Sequence, residues 1–243
     1  MTLRRRWFRV SLLISSLSLS VSGCTVGLKV ASRCGNVEIL SKELLVEEAE
    51  SYCQYAVSER KKVEAFWGPT WTETIQIHVD SSYPISMALV PAFQGSRGFM
   101  QMPLSLVRDN TGALLHELVH IYAPNRNVFL AEGLAVYLQD KLGGNPGFPN
   151  FGRNLNVSAR ERLSEVRSLS VLNAGQMLTV RDSIAARRTA KTLAGSFVRF
   201  LIEEHGLAKF RDLYETKDYA NAYGKSLDIL EKEWRLSLQE NSR

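Results

Sequence analysis

The segment Leu114 to His120 reads LLHELVH, and the spacing of its two histidines constrains the fold more than any other feature of the chain. Residues four positions apart lie on one face of a helix, so His116 and His120 can direct ring nitrogens at a single ion. Glu117 is then placed to take a proton from a zinc-bound water. This HExxH pattern predicts a zinc-binding helix. A chance match, with both histidines as packing residues, is the alternative.

A catalytic zinc ion keeps three protein ligands and one open position, so the pattern requires a third ligand. The Gly and His that would follow in a metzincin are replaced by Ala123 and Arg126. Gln139 stands where a glutamate nineteen residues after the second His would be needed. The candidate is Glu132 in the segment FLAEGLAVY, twelve residues after His120. It would act as a zinc ligand or as a carboxylate that favours a helix N-terminus.

Small residues surround this glutamate, and one of them is Gly133. Because Gly in a helix costs about 1 kcal/mol relative to Ala, its presence predicts the close approach of another backbone, that of the HELVH helix. The linking segment 122–128, YAPNRNV, contains a proline and two asparagines, which favours a short turn between two packed helices.

Together these motifs resemble those of the gluzincin zinc peptidases, and within them the peptidase MA-like proteins, which combine a shortened HExxH-to-Glu interval with AEGxAxY. The resemblance covers residues 72–235. Its supporting downstream segments are AGSFVRFL at 194–201, EEHG at 203–206 and AYGKSLDILEKEWR at 222–235.

This resemblance implies a zincin-like fold and a Zn²⁺ cofactor. It implies Glu117 as the general base, and its implied zinc ligands are His116, His120 and Glu132. Relatives often carry an aromatic residue four positions before the Gly of GSF, whereas this chain has Lys191 there.

The start of the chain carries a second motif. Four arginines precede an apolar stretch from Val10 to Ser22, and residues 21–24 read VSGC. The order resembles a bacterial lipoprotein signal, which implies cleavage before Cys24 and acylation of its thiol. The thirteen residues of the apolar stretch fall short of the roughly twenty that span a membrane. Thr25, by the rule known for enteric bacteria, implies the outer membrane, so we expect a lipid-anchored envelope protein that faces the periplasm.

The charge and length of the chain limit the class of partner and the number of domains. Removing residues 1–23 takes four of the 30 Lys and Arg and no acidic residue, which leaves 26 basic against 25 acidic residues. The excess positive charge therefore belongs to the signal segment, and we expect no nucleic-acid partner. We expect an anchor and linker over 24–37 and one metallopeptidase domain with C-terminal helices over 38–243.

Cysteine use agrees with export. With Cys24 acylated, Cys34 and Cys53 remain as an even pair, and in an oxidising compartment such a pair predicts a disulfide. The bond would tie the N-terminal loop to the first helix. Free buried thiols are the alternative.

The periodicity predicts an α+β fold, mostly helical with a small mixed sheet. Apolar residues at helical intervals predict one long helix over 38–67, and alternation predicts a strand over 72–79. Further helices are predicted over 159–171, 185–205 and 226–237.

A second strand is predicted over Gly98 to Leu104, just before the HExxH helix, and Pro103 inside it favours a position at the sheet edge. A substrate peptide could add there as an extra strand. The candidate substrate-binding residues are Gly98, Phe99, Met100 and Gln101.

Several other residues have less specific patterns. The basic cluster of Arg187, Arg188 and Lys191 is typical of a solvated face. The loop 145–156 is either the rim of a cleft or a connector. Residues that could stabilise an oxyanion are Tyr122, Tyr137, Tyr219, Tyr223 and His205, although core packing suits Tyr137 better.

We therefore expect zinc-dependent hydrolysis of a peptide or protein substrate in the bacterial cell envelope. The alternative is a zinc-binding envelope lipoprotein without turnover, in which the ion serves structure or partner recognition. The intact Glu117 argues against this alternative, because metal binding alone does not need that carboxylate.

Overall fold

A computed structural model describes residues 27–89, 98–179 and 181–240. The predicted signal segment 1–23 and the predicted lipidation site Cys24 lie outside these residues. Among the described helices, none combines the length and the apolar character that crossing a bilayer requires.

Five strands in the described ranges form one mixed sheet. The strands are β1 (Val30–Cys34), β2 (Val37–Leu40), β3 (Ile75–Asp80), β4 (Met87–Leu89) and β5 (Phe99–Pro103). Their spatial order is β1-β2-β3-β5-β4. The outer pairs β1/β2 and β4/β5 are antiparallel, and β2/β3 and β3/β5 are parallel.

Helices make up most of the rest, which confirms the predicted α+β class. The helices are α1 (Val46–Trp67), α2 (Leu104–Arg108), α3 (Leu114–Tyr122), α4 (Val128–Lys141), α5 (Leu155–Arg162), α6 (Leu169–Asn173), α7 (Ile184–His205), α8 (Leu207–Thr216), α9 (Tyr219–Tyr223) and α10 (Leu227–Glu240). Helices α5, α8 and α10 pack against α7, and α7 itself packs along α4.

The prediction of a single helix over 38–67 was wrong in its first part. Residues 37–40 form β2, with Val37 and Ile39 fully buried in the sheet core. The helix begins at Val46, where the backbone N–H of Leu45 donates to Glu48 Oε2 at 2.8 Å. A short apolar run fits a strand and a buried helix equally well, so periodicity alone did not separate them.

Strand β5 is an interior strand, and the prediction that it forms the sheet edge was wrong. It pairs with β3 on one side and β4 on the other. Pro103 is compatible with this position because it is the last residue of the strand and leads directly into α2. The residues predicted to bind substrate were Gly98, Phe99, Met100 and Gln101. They cannot accept a peptide as an extra strand, because β4 already occupies the edge of the sheet beside β5.

Gly133 marks the closest approach between two central helices. A Cβ at Gly133 would lie 2.6 Å from Val198 Cγ2 and 2.8 Å from the Ala194 carbonyl oxygen, so a side chain does not fit. A Cβ at Gly195 on α7 would likewise come too close to the side chain of Val136 on α4. The predicted close approach is therefore present, but the partner is α7 and not the HELVH helix. This contact holds α7 against the helix that carries Glu132.

A disulfide joins Cys34, the last residue of β1, to Cys53 in α1. We expect the double variant Cys34→Ser, Cys53→Ser to lose about 2–4 kcal/mol of unfolding free energy, because the cross-link restricts the unfolded chain. Urea denaturation measures the loss. Reductant should shift the unfolding midpoint of the wild-type protein and leave that of the double variant unchanged. An unchanged wild-type midpoint would contradict a stabilising bond.

Candidate metal centre

Helix α3 carries the HELVH sequence through the centre of the molecule. Its apolar residues Leu114, Leu115 and Leu118 are buried, and it contacts α1, α4 and β4. A helix that is apolar on most sides is expected to be enclosed by other elements. His116 and Glu117 are consequently buried too, with 3% and 7% of their surface exposed.

Three side chains from α3 and α4 converge at one point. Nε2 of His116 lies 3.3 Å from Nε2 of His120 and 3.1 Å from Oε2 of Glu132, and the third side of the triangle, from His120 to Glu132, is 3.7 Å. Tetrahedral zinc with bonds of about 2.0–2.1 Å separates its ligands by about 3.3 Å. The triangle matches that spacing, so the group could hold a metal ion.

Burial and neighbouring charges set the protonation of these three groups. Burial lowers the pKa of His116, which leaves the ring neutral and able to coordinate. Burial also opposes the charged form of His120, but the hydrogen bond and the negative charge of Glu132 outweigh it and raise the pKa. Burial opposes the ionisation of Glu132 as well, yet the Lys191 cation and the hydrogen bonds of both histidines hold its pKa well below the usual range. Glu132 is therefore a carboxylate.

Glu117 stands next to this group on α3. Its Oε2 accepts a hydrogen bond of 2.8 Å from the backbone N–H of Ala88 in β4. This bond ties the carboxylate to the strand at the end of the sheet. Because Ala88 contributes only backbone, its side-chain type carried no signal in the sequence.

The basic cluster on α7 is not a solvated face, so that prediction was wrong. Nζ of Lys191 lies 2.8 Å from Glu132 Oε2, and the lysine side chain is only 16% exposed. Arg188 donates from Nε to the carbonyl oxygen of Pro149 at 2.9 Å. The packing of α7 along α4 turns these side chains towards the metal-binding group and the loop beside it.

A cleft of about 500 Å³ opens onto His116 and Glu117. Residues of the loop 145–156 form one wall, so this loop is a rim and not a simple connector. The lining residues from this loop are Pro146, Gly147, Phe148 and Phe151, and those from α7 are Ile184, Arg187 and Lys191.

None of the tyrosines considered for an oxyanion role lines this cleft in the described part of the chain. The Tyr122 hydroxyl is 2.6 Å from Glu64 Oε1 and from Arg60 Nε. Tyr137 is buried, as predicted, and its hydroxyl donates to Glu203 at 3.3 Å. His205 packs against the rings of Phe200 and Tyr223 instead.

No family model matches the sequence, and no curated protein matches it. The resemblance to known peptidases thus rests on the motifs alone, and the structure adds to them a buried group of two histidines and one glutamate that could hold a metal ion.

Proposed function

We propose that this protein is a zinc-dependent peptidase of the gluzincin type. The observation that supports the proposal is the ligand triangle of His116, His120 and Glu132, with Glu117 beside it and facing the same cleft. A bound zinc ion supplies Lewis-acid chemistry, since it polarises a carbonyl group and lowers the pKa of water from 15.7 to about 7.

Glu117 is the general base in this proposal. It accepts a proton from the attacking water and passes it to the leaving amine. The hydrogen bond from Ala88 orients the carboxylate through Oε2 and leaves the second oxygen to carry the proton. A metal site that only stabilised the fold would not need an acidic side chain at this place.

The substrate aligns along β4 in this proposal. The strand lies at the outer end of the sheet and contacts α3, and its Ala88 bonds the proposed base. An extended peptide that pairs with such a strand is held by main-chain hydrogen bonds, which are independent of its sequence. The scissile bond is thereby presented to the metal-binding group.

Metal analysis joined to an unbiased peptide-cleavage profile tests the proposal. The purified protein should contain about one zinc per chain, as a site with three protein ligands predicts. A chelator should abolish cleavage and added zinc should restore it. If the zinc-loaded protein cleaved no peptide in the pool, the peptidase proposal would fail, and a binding role without turnover would take its place.

We propose further that the protein is a lipid-anchored component of the cell envelope. The VSGC motif supports this, and the disulfide between Cys34 and Cys53 is weak additional support, because such bonds persist in oxidising compartments. Labelling with a fatty acid tests the anchor. The label should be lost in Cys24→Ser, and a fully labelled variant would contradict the proposal.

A further inference from the structure

We infer that Arg187 binds a carboxylate of the substrate, so that the cleft selects peptides with an acidic side chain or a C-terminal carboxylate close to the cleaved bond. This inference rests on the proposed peptidase function. Arg187 would determine which peptides bind, whereas the metal-binding group would cleave the peptide bond.

Arg187 lines the cleft together with His116 and Glu117. Its Nε is buried and has no hydrogen-bond partner, and within the described residues no carboxylate lies within ion-pair distance of it. The two other cations of the cluster are occupied, since Lys191 pairs with Glu132 and Arg188 donates to Pro149. Arg187 is thus the cation of this cluster that remains available to a ligand.

An unpaired buried donor is costly, because it has lost water without gaining another partner. A guanidinium presents Nε–H and one Nη–H in a planar fork that matches the two oxygens of a carboxylate. A carboxylate that approaches from the side would satisfy the orphaned Nε of Arg187 and neutralise its charge in one step.

The charge of the cleft favours the same ligand. Among the described lining residues Glu117 is the one acidic side chain, and Arg187 is the one cation that has no acidic partner. The proposed zinc ion would add to the positive side. An anionic peptide is therefore attracted to this cleft more strongly than a neutral one.

The spacing of Arg187 and Lys191 on α7 sets the design of the probe peptides. Arg187 precedes Lys191 by four residues, which is about 6 Å along the axis of α7. An extended peptide advances about 3.3 Å per residue, so a span of this length corresponds to about two residues of substrate, and the probes place the carboxylate at that spacing. The intervening wall is apolar, with Phe148, Phe151 and Ile184, so it suits an apolar side chain between the two points.

Three matched fluorescent peptides of alanine and phenylalanine serve as probes. The first carries Gln two residues after Phe and an amidated end, the second has Glu in place of Gln, and the third keeps Gln but has a free C-terminal carboxylate. We measure Kd on the zinc-loaded Glu117→Gln protein and kcat/KM on the zinc-loaded wild-type protein. The second and third peptides separate an acidic side chain from a chain end.

We expect at least one carboxylate peptide to be preferred about tenfold or more over the neutral one, since a bidentate charged pair exceeds 1.4 kcal/mol. Arg187→Gln should reduce the preference to about one, and Arg187→Lys should restore only part of it. Arg167 is exposed and does not line the cleft, so it offers a control, and Arg167→Gln should keep the full preference. Each variant is first checked for wild-type zinc content and helicity.

Equal binding of all three peptides, or a preference that survives in Arg187→Gln, would overturn the inference. The peptidase proposal would still stand in either case if the wild-type protein cleaved the probes. If nothing is cleaved, the peptidase proposal fails, and the Kd values still decide whether Arg187 binds a carboxylate.

Discussion

Glu117→Gln is expected to lower peptide hydrolysis by about 10² to 10⁴, the usual loss when a general base is removed. The substitution keeps the size of the side chain, and its amide oxygen can still accept the hydrogen bond from Ala88. An amide cannot take up a proton at neutral pH. Because Glu117 is not part of the ligand triangle, the variant should retain about one zinc per chain.

Single-turnover hydrolysis and zinc content, measured on the same preparation, check this expectation. Glu204→Gln removes the same charge from an exposed position on α7, so it should leave both quantities unchanged. A Glu117→Gln protein that retains the wild-type rate would show that another group acts as the base.

Glu132→Ala is expected to remove zinc and activity together. It takes one oxygen out of the ligand triangle and leaves two histidines of one helix as the remaining ligands. It also leaves the buried ammonium of Lys191 without its partner, and that positive charge then opposes a cation at the same place. The loss of zinc affinity should therefore exceed the 10- to 100-fold that removal of an outer-shell partner usually causes.

Competition with a chromophoric chelator measures this affinity, and His116→Ala and His120→Ala should behave in the same way. A Glu132→Ala protein that kept full zinc under mild chelator challenge would contradict the ligand assignment. Asp140 is the next acidic residue along α4, but it lies 3.6 Å from Arg199, and it does not belong to the triangle.

Local sequence was sufficient for the features that depend on near neighbours in the chain. The bounds predicted for the long helix over 185–205 agree with α7 to within one residue. Both histidines lie on one face of α3 because the helical period, set by bonds between residues four apart, places them there. Gly133 likewise predicted a close approach of another backbone, because a glycine is costly inside a helix without such a contact.

The pairing of the strands and the positions of the short helices depended on packing between segments that are distant in the sequence. The three-residue strand Met87–Leu89 is too short to show a period, so the sheet edge was assigned to β5. Residues 30–34 form β1 by pairing with β2, although they belonged to the predicted linker. Helices α8 and α9 were also missed, because each is short and depends on packing, α8 against α7 and α9 against α8.

The sequence by itself determined that two histidines share one helix face with a glutamate next to it, and that a second glutamate follows after a short turn. Only the tertiary structure decided that Glu132 meets those histidines and that Lys191 meets Glu132. The physical reason is that a helical period depends on backbone bonds within one turn, whereas the partner of a side chain depends on which distant helix fills the adjoining space. Here α7 reaches Glu132 because Gly133 and Gly195 let two backbones approach where any side chain would separate them.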